Sequence, residues 1–262
     1  MAASYSTLLK LCTLWSILLL CFQFLTVASS TPVGVRSRWI TEEASGRRVK
    51  LGSCVNWVGH LQAGLPEGLN QQPISSIATN ITSLGFNCVR LTYSIHMLTR
   101  PHYTSSAVGR TFESLNLTVQ AQAIELHNPG LLLLTHLQAY KRVVDELAVH
   151  GVMVVLENHV SNEQWNGRYF NPMEWLRGLA RMVTYFRHTP NVVAMSLRKE
   201  VRGDNSTPAM WSKYMHSGVA VVHRANPNVL VILDIDIDID TDLTLPNMRV
   251  FRKVSSEHLN PA

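Results

Sequence analysis

Three signatures of common enzyme classes are missing from this 262-residue sequence. No Gly-x-Gly-x-x-Gly follows the first strand-like segment, where a dinucleotide-binding sheet would carry it. None of the 11 histidines forms a His-x-x-x-His helix pair with a glutamate beside it, which leaves a zinc hydrolase unsupported. No serine lies in Gly-x-Ser-x-Gly; Ser217 precedes Gly218 inside a helical segment, without the elbow of serine hydrolases. Lys and Arg (23 together) are interspersed with Asp and Glu (18 together), and no cationic block tracks one helix face, so there is no nucleic-acid footprint. Asp234, Asp236, Asp238, Asp240 and Asp242 alternate with isoleucines, but a calcium loop needs Gly sixth and Glu twelfth. Those positions hold Ile239 and Leu245, so no metal and no cofactor is expected, and the repeat reads as a solvent-exposed loop. What is there is a globular composition, 46% hydrophobic and 16% charged.

Residues 1–30 carry one charge, Lys10, then an apolar run from Leu11 to Val27, then Ala28, Ser29 and Ser30. That order is expected of a secretory signal peptide cleaved near Ser30 or Thr31. An uncleaved membrane anchor is the competing reading, since the run approaches the length of a spanning helix. Without Lys10 the net charge falls from +5 to +4. Of the four cysteines, Cys12 and Cys21 belong to this leader, and Cys54 and Cys88 remain. An oxidising compartment permits their pairing; two buried thiols are an equal alternative, as both lie in apolar strand-like runs. Asn-x-Thr triplets start at Asn80, Asn116 and Asn205. They agree with a secreted glycoprotein wherever they are exposed.

From residue 49 onward short apolar runs alternate with amphipathic segments. Strands are predicted over 49–57, 86–91, 152–156, 192–197 and 229–233. Helices are predicted over 73–84, where Ile74, Ile77, Ala78, Ile81 and Leu84 recur at helical spacing, and over 134–150. Asn171-Pro172 and Thr207-Pro208 each read as a cap followed by proline at the first helical position. A polar segment, 99–130, interrupts the rhythm as a long loop. Strand then helix, repeated, implies a parallel sheet. The absent glycine motif favours a (β/α)8 TIM-barrel type over a doubly wound sheet, incomplete here, with about the first five βα units. Residues 31–262 are expected to form this one domain.

In such barrels, catalytic groups sit at the C-terminal ends of strands. Here the predicted strands end in Asn56-Trp57, Arg90, Glu157-Asn158-His159, Arg198-Lys199-Glu200 and Asp234. The segments Val55-Asn56-Trp57, Gly85 to Thr92, Asn158 to Ser161 and Met195 to Gly203 resemble plant members of glycoside hydrolase family five, over about Ser37 to Leu245. The resemblance implies a retaining, cellulase-like hydrolase of O-glycosyl bonds in β-linked cell-wall polysaccharide. It implies Glu200 as general acid/base, Arg90 supporting the site floor and His159 lining the cleavage subsite. Asn56, Trp57 and Lys199 join the substrate-binding set, with Trp57 and Trp165 offering faces to sugar rings. The expected partner is a polysaccharide or oligosaccharide substrate, in the extracellular space or cell wall, with no stable membrane association once the leader is removed.

Three features depart from that family's pattern. Lys199 stands where the family has Asn. An ammonium there favours ionised Glu200, against the need of a general acid, and cannot accept a hydrogen bond. No residue matches the strand-seven nucleophile; Glu157 stands where the family has a non-nucleophilic Asp, and Glu257 lies in an unmatched tail. The segment between Trp165 and Asn171 is short. The sequence ends soon after the fifth predicted strand, which would leave an unpaired apolar edge. The alternative expectation is therefore a catalytically inactive, truncated carbohydrate-binding remnant.

Overall fold

A computed structural model describes residues 33–36, 39–42, 45–49, 54–159, 170–198, 207–235 and 250–254. The expected leader, Trp165, Lys199, Glu200, Asn205, the aspartates 236–242 and Glu257 lie outside these residues. An antiparallel hairpin of β1 (Val33–Arg36) and β2 (Trp39–Glu42) comes first. Six parallel strands follow in simple order: β3 (Cys54–Trp57), β4 (Cys88–Ser94), β5 (Met153–His159), β6 (Val192–Ser196), β7 (Leu230–Ile235) and β8 (Val250–Val254). Sequential parallel neighbours with helical crossovers are the arrangement of a TIM-type barrel wall. About five βα units are expected; among the described residues the parallel sheet has six strands, with β7 paired to β8 from Val231 to Ile235 rather than left as an edge.

The crossover helices form where the apolar spacing predicts them: α1 (Ile74–Ser83), α6 (His136–Val149), α7 (Pro172–Tyr185) and α8 (Pro208–Ala225). Both predicted caps operate. The Asn171 carboxamide accepts from the Met173 and Glu174 backbone N–H groups at 3.0 Å, and the Thr207 hydroxyl accepts from Met210 N–H at 3.3 Å. Helix α6 buries Ala139, Tyr140, Val143, Val144 and Leu147 on one stripe. It meets the strand that follows through Gly151, whose φ of 69° only glycine adopts without strain. There the Val152 N–H bonds back to Leu147 O and the Gly151 N–H to Ala148 O, each at 2.9 Å, which closes the helix and turns the chain into β5. Two glycines permit close packing, Gly178 of α7 against the chain at Ile95 and Thr99, and Gly218 of α8 against α7. A Cβ on Gly178 would fall 2.4 Å from Ile95, and one on Gly218 would fall 2.7 Å from the Trp175 ring.

The segment expected as a loop is largely helical: α2 (His96–Thr99), α3 (Pro101–Thr104), α4 (Val108–Ser114) and α5 (Thr118–His127), then a 3-10 turn at Leu131–Leu133. It joins the C-terminal end of β4 to the N-terminus of α6, so it stands on the strand-end rim. Asn128 ties it down: its carboxamide accepts from Ile74 N–H at 2.9 Å and donates to Leu69 O at 2.8 Å. The large core lies between sheet and helices, around Leu91, Leu156, Trp175, Met195 and Trp211. A smaller one fills the opposite, inner face of the sheet near the N-terminal strand ends. There Val33, Ile40 and Val49 of the N-terminal segment meet Cys88, Val155, Ala194 and Leu230. The inner face is thus closed at its base and left polar at its top.

Candidate active site

Alternation along the strands decides which side chains reach the inner face. In β4 the even positions Cys88, Arg90, Thr92 and Ser94 share one side, and in β5 the odd positions Met153, Val155, Glu157 and His159 lie beside them. The sequence changes from apolar to polar along both series toward the C-terminal end, and there the polar members meet.

Glu157 is the hub. It is 3% exposed, and its Oε2 receives Arg90 Nε at 2.5 Å and His159 Nε2 at 2.9 Å. Burial pushes its carboxyl upward. The His159 hydrogen bond and the Arg90 charge outweigh that and hold it below the ordinary glutamate value. The carboxylate is therefore ionised and committed to its two donors. His159 is also stacked: the His60 ring lies 4.4 Å from it at 35°. His60 is fixed by its Nδ1 against Thr92 Oγ1 at 2.8 Å, and that hydroxyl also accepts from Gly59 N–H at 2.9 Å. Gly59 permits this approach, since a Cβ there would lie 2.7 Å from Thr92 O. Loop β3–α1, β4 and β5 thus hold two imidazoles, a guanidinium and a carboxylate in one cluster.

Of the residues singled out from the sequence, Arg90 and His159 are brought together through Glu157. Arg90 is inside β4 rather than at its end, because the strand continues to Ser94. Asn56 is exposed on β3, directly across from Arg90 in the ladder. Trp57 is a correction. Its side chain points to the other face, is 7% exposed within the core, and donates its indole N–H to Glu67 O at 2.8 Å. Odd parity in β3 turns it toward the helices, so it offers no sugar-stacking face. Glu200 and Lys199 lie outside the described residues; the chain leads to them from Ser196, the ladder partner of Glu157. Just before them Arg198 is buried, with its guanidinium carbon 4.7 Å over the Phe170 ring. Burial lowers its pKa to about 9.

Sequence reasoning missed His60 and Thr92, and left Glu157 without a role. Their signal was position: His60 falls three residues past a strand end, and Thr92 shares parity with Arg90. The structure also resolves the cysteine alternatives. Cys54 and Cys88 are disulfide-bonded ladder partners, with Cα atoms 4.5 Å apart. Among the described residues, no group of three or more His, Cys, Asp or Glu side chains is arranged to hold a metal ion. No helix of these residues is long and apolar enough to cross a membrane.

Residues 52–237 match the family described as Cellulase (glycosyl hydrolase family 5). A "Glycosyl hydrolase 5 family protein" of Chamaecyparis obtusa is 59% identical over 215 residues, 78% of this chain and 38% of that protein. The "Major extracellular endoglucanase" of Xanthomonas campestris pv. campestris is 25% identical over 206 residues, 74% of this chain and 39% of that protein. The chain therefore spans less than two-fifths of the length of these relatives. The solved catalytic domain of the Xanthomonas endoglucanase superposes with a TM-score of 0.66 at 23% identity, over 84% of this chain and 67% of that one. A similar likeness, TM-score 0.66 at 17% identity, holds for a cellulase in complex with an inhibitor, over 86% and 69% of the two chains.

Proposed function

The chain belongs to the cellulase family, glycosyl hydrolase family 5, and on that basis we propose that it hydrolyses O-glycosyl bonds of β-linked cell-wall polysaccharide by a retaining route. The observation that carries this reading is the convergence of Arg90, Glu157 and His159 on the inner face of successive parallel strands, at the end where barrel enzymes hold substrate. In a retaining reaction a second carboxylate, which is not among the described residues, bonds the anomeric carbon as the glycosidic bond breaks and Glu200 gives its proton to the departing oxygen; water then displaces that carboxylate from the sugar and gives up a proton to Glu200. Glu157, engaged by two cationic or donor groups, is a supporting carboxylate: it fixes His159 and Arg90 rather than attacking the sugar. His159, stacked on His60, presents a fixed ring edge to the bound glycan. Asn56, across from Arg90, adds an exposed carboxamide to the same rim.

We place the protein outside the cell. The leader pattern of residues 1–30 supports this. So does the Cys54–Cys88 disulfide, since such bonds persist in oxidising compartments.

Lys199 favours a second reading, a carbohydrate-binding protein without turnover, because its ammonium draws Glu200 toward the ionised form. One experiment separates the two. Purified protein is assayed on carboxymethylcellulose and on mannan, beside Glu200→Gln and Lys199→Asn. The enzyme reading expects turnover that Glu200→Gln abolishes and Lys199→Asn raises. Retained oligosaccharide binding with no turnover in any of the three sinks it.

A further inference from the structure

We propose that Asn116 is the N-glycan acceptor of the described structure, and that Asn80, despite the same Asn-x-Thr spelling, is not one. The proposal rests on the secretory reading above and goes beyond it by choosing between two sites.

A glycan-bearing Asn-x-Ser/Thr triplet belongs on a surface loop, where the asparagine amide and the hydroxyl two residues on are open together. Asn80 fails on geometry. It lies inside α1, where residues i and i+2 are separated by ~200° around the axis and do not face each other. Its groups are also engaged. The carboxamide donates to Gln72 Oε1 at 3.3 Å, and the Thr82 hydroxyl donates back to Thr79 O at 2.9 Å.

Asn80 is exposed as Asn116 is, but Asn116 differs in backbone setting and in side-chain engagement. It occupies the turn between α4 and α5 and is the one non-glycine among the described residues with positive φ, 56°. The turn is a helix stop: Asn116 N–H bonds to Glu113 O at 3.1 Å and Leu117 N–H to Phe112 O at 2.9 Å. Those bonds hold the backbone and leave the side chain outside. Asn116 and Thr118 are both exposed, and neither side chain hydrogen-bonds within the described residues. A glycan there displaces nothing from the core.

The reaction is transfer from a lipid-linked oligosaccharyl diphosphate. A bond forms between Asn116 Nδ2 and the anomeric carbon. The bond from that carbon to the diphosphate oxygen breaks and its electron pair leaves with the lipid diphosphate. The amide loses one proton to the transferase.

The test expresses the full chain in eukaryotic secretory cells, and in parallel the same chain behind a leader of proven function. Peptides released after amidase treatment in heavy-oxygen water are read by mass spectrometry, where a formerly glycosylated Asn appears as labelled Asp. In the proven-leader arm the expected result is label at Asn116 and none at Asn80, with one glycan's mobility lost in Asn116→Gln. Thr118→Ala loses it too while keeping the left-handed asparagine, so a folding defect is not mistaken for loss of the site. Label at Asn80, or a bare Asn116 in that arm, overturns the proposal. A bare full chain beside a labelled proven-leader chain refutes the secretory reading alone and upholds the site.

Discussion

Replacing Glu157 with Gln is the most informative change to the cluster, because it keeps the shape and removes only the charge. The native carboxylate, 3% exposed, takes two charge-assisted bonds, from Arg90 at 2.5 Å and His159 at 2.9 Å. Such bonds contribute ~1.5–3 kcal/mol each and neutral ones ~1 kcal/mol, so the exchange weakens the pair by about 2 kcal/mol. Leaving a fully buried partner charge uncompensated costs ~3–5 kcal/mol. The Arg90 side chain is 22% exposed and keeps some hydration, so only a fraction of that applies. The expected loss at pH 7 is about 3 kcal/mol, read from urea unfolding followed by tryptophan fluorescence. The pH dependence fixes the cause. Glu157 is held below its ordinary value, so its contribution is present above the unfolded glutamate value of ~4.3 and is lost as pH falls through the lower, folded value. The gap between native protein and variant should therefore be full above pH ~4.3 and narrow as pH falls below it. A gap that persists undiminished at pH 3, or one under ~0.5 kcal/mol at pH 7, would refute the assignment of Glu157 as the charged hub.

Two other sites give independent checks. Reducing Cys54–Cys88, which closes a 34-residue separation, removes about 4 kcal/mol on the chain-entropy account; thermal unfolding with and without a phosphine reductant measures it, and an unchanged midpoint contradicts the bond. His136, fully buried at the start of α6, has its pKa lowered to about 4, by burial first. Its neutral form thus contributes stability that is complete above the unfolded value of ~6.5 and is lost as pH falls to about 4, some ~3 kcal/mol in all. Its ring-proton NMR signal should stay in the neutral position at pH 5, and a midpoint near 6.5 would contradict the burial.

Strong periodicity was what made the fold readable. Helix α6 carries its apolar stripe without interruption and stops at a glycine, and Asn171-Pro172 and Thr207-Pro208 start α7 and α8 where they announce them. Short elements lack such a stripe. Helices α2 and α3 are four residues each, held by the surrounding packing rather than by local pattern. Strand β8, which contains Arg252 and Lys253, is not among the predicted strands, and the ladder with β7 reveals it. The same limit applies to the site. Strand-end position pointed to Arg90 and His159, but Asn56 and Trp57 are neighbours in one strand and cannot both face the cleft, and which of them does is set by the β3–β4 register, pairing Asn56 with Arg90 and Trp57 with Leu91.

The disulfide has a consequence apart from stability. Cys54 and Cys88 face each other across the ladder, so the covalent bond fixes which residue of β3 lies opposite which residue of β4. A slip of one residue would rotate every β3 side chain to the other side of the sheet. Asn56 would then turn away from Arg90, and Trp57 would leave the core for the cleft. A strand of four residues has few ladder bonds with which to resist that error. Oxidation thus acts as an alignment pin for the polar rim, and misalignment rather than unfolding is the first injury that reduction would inflict.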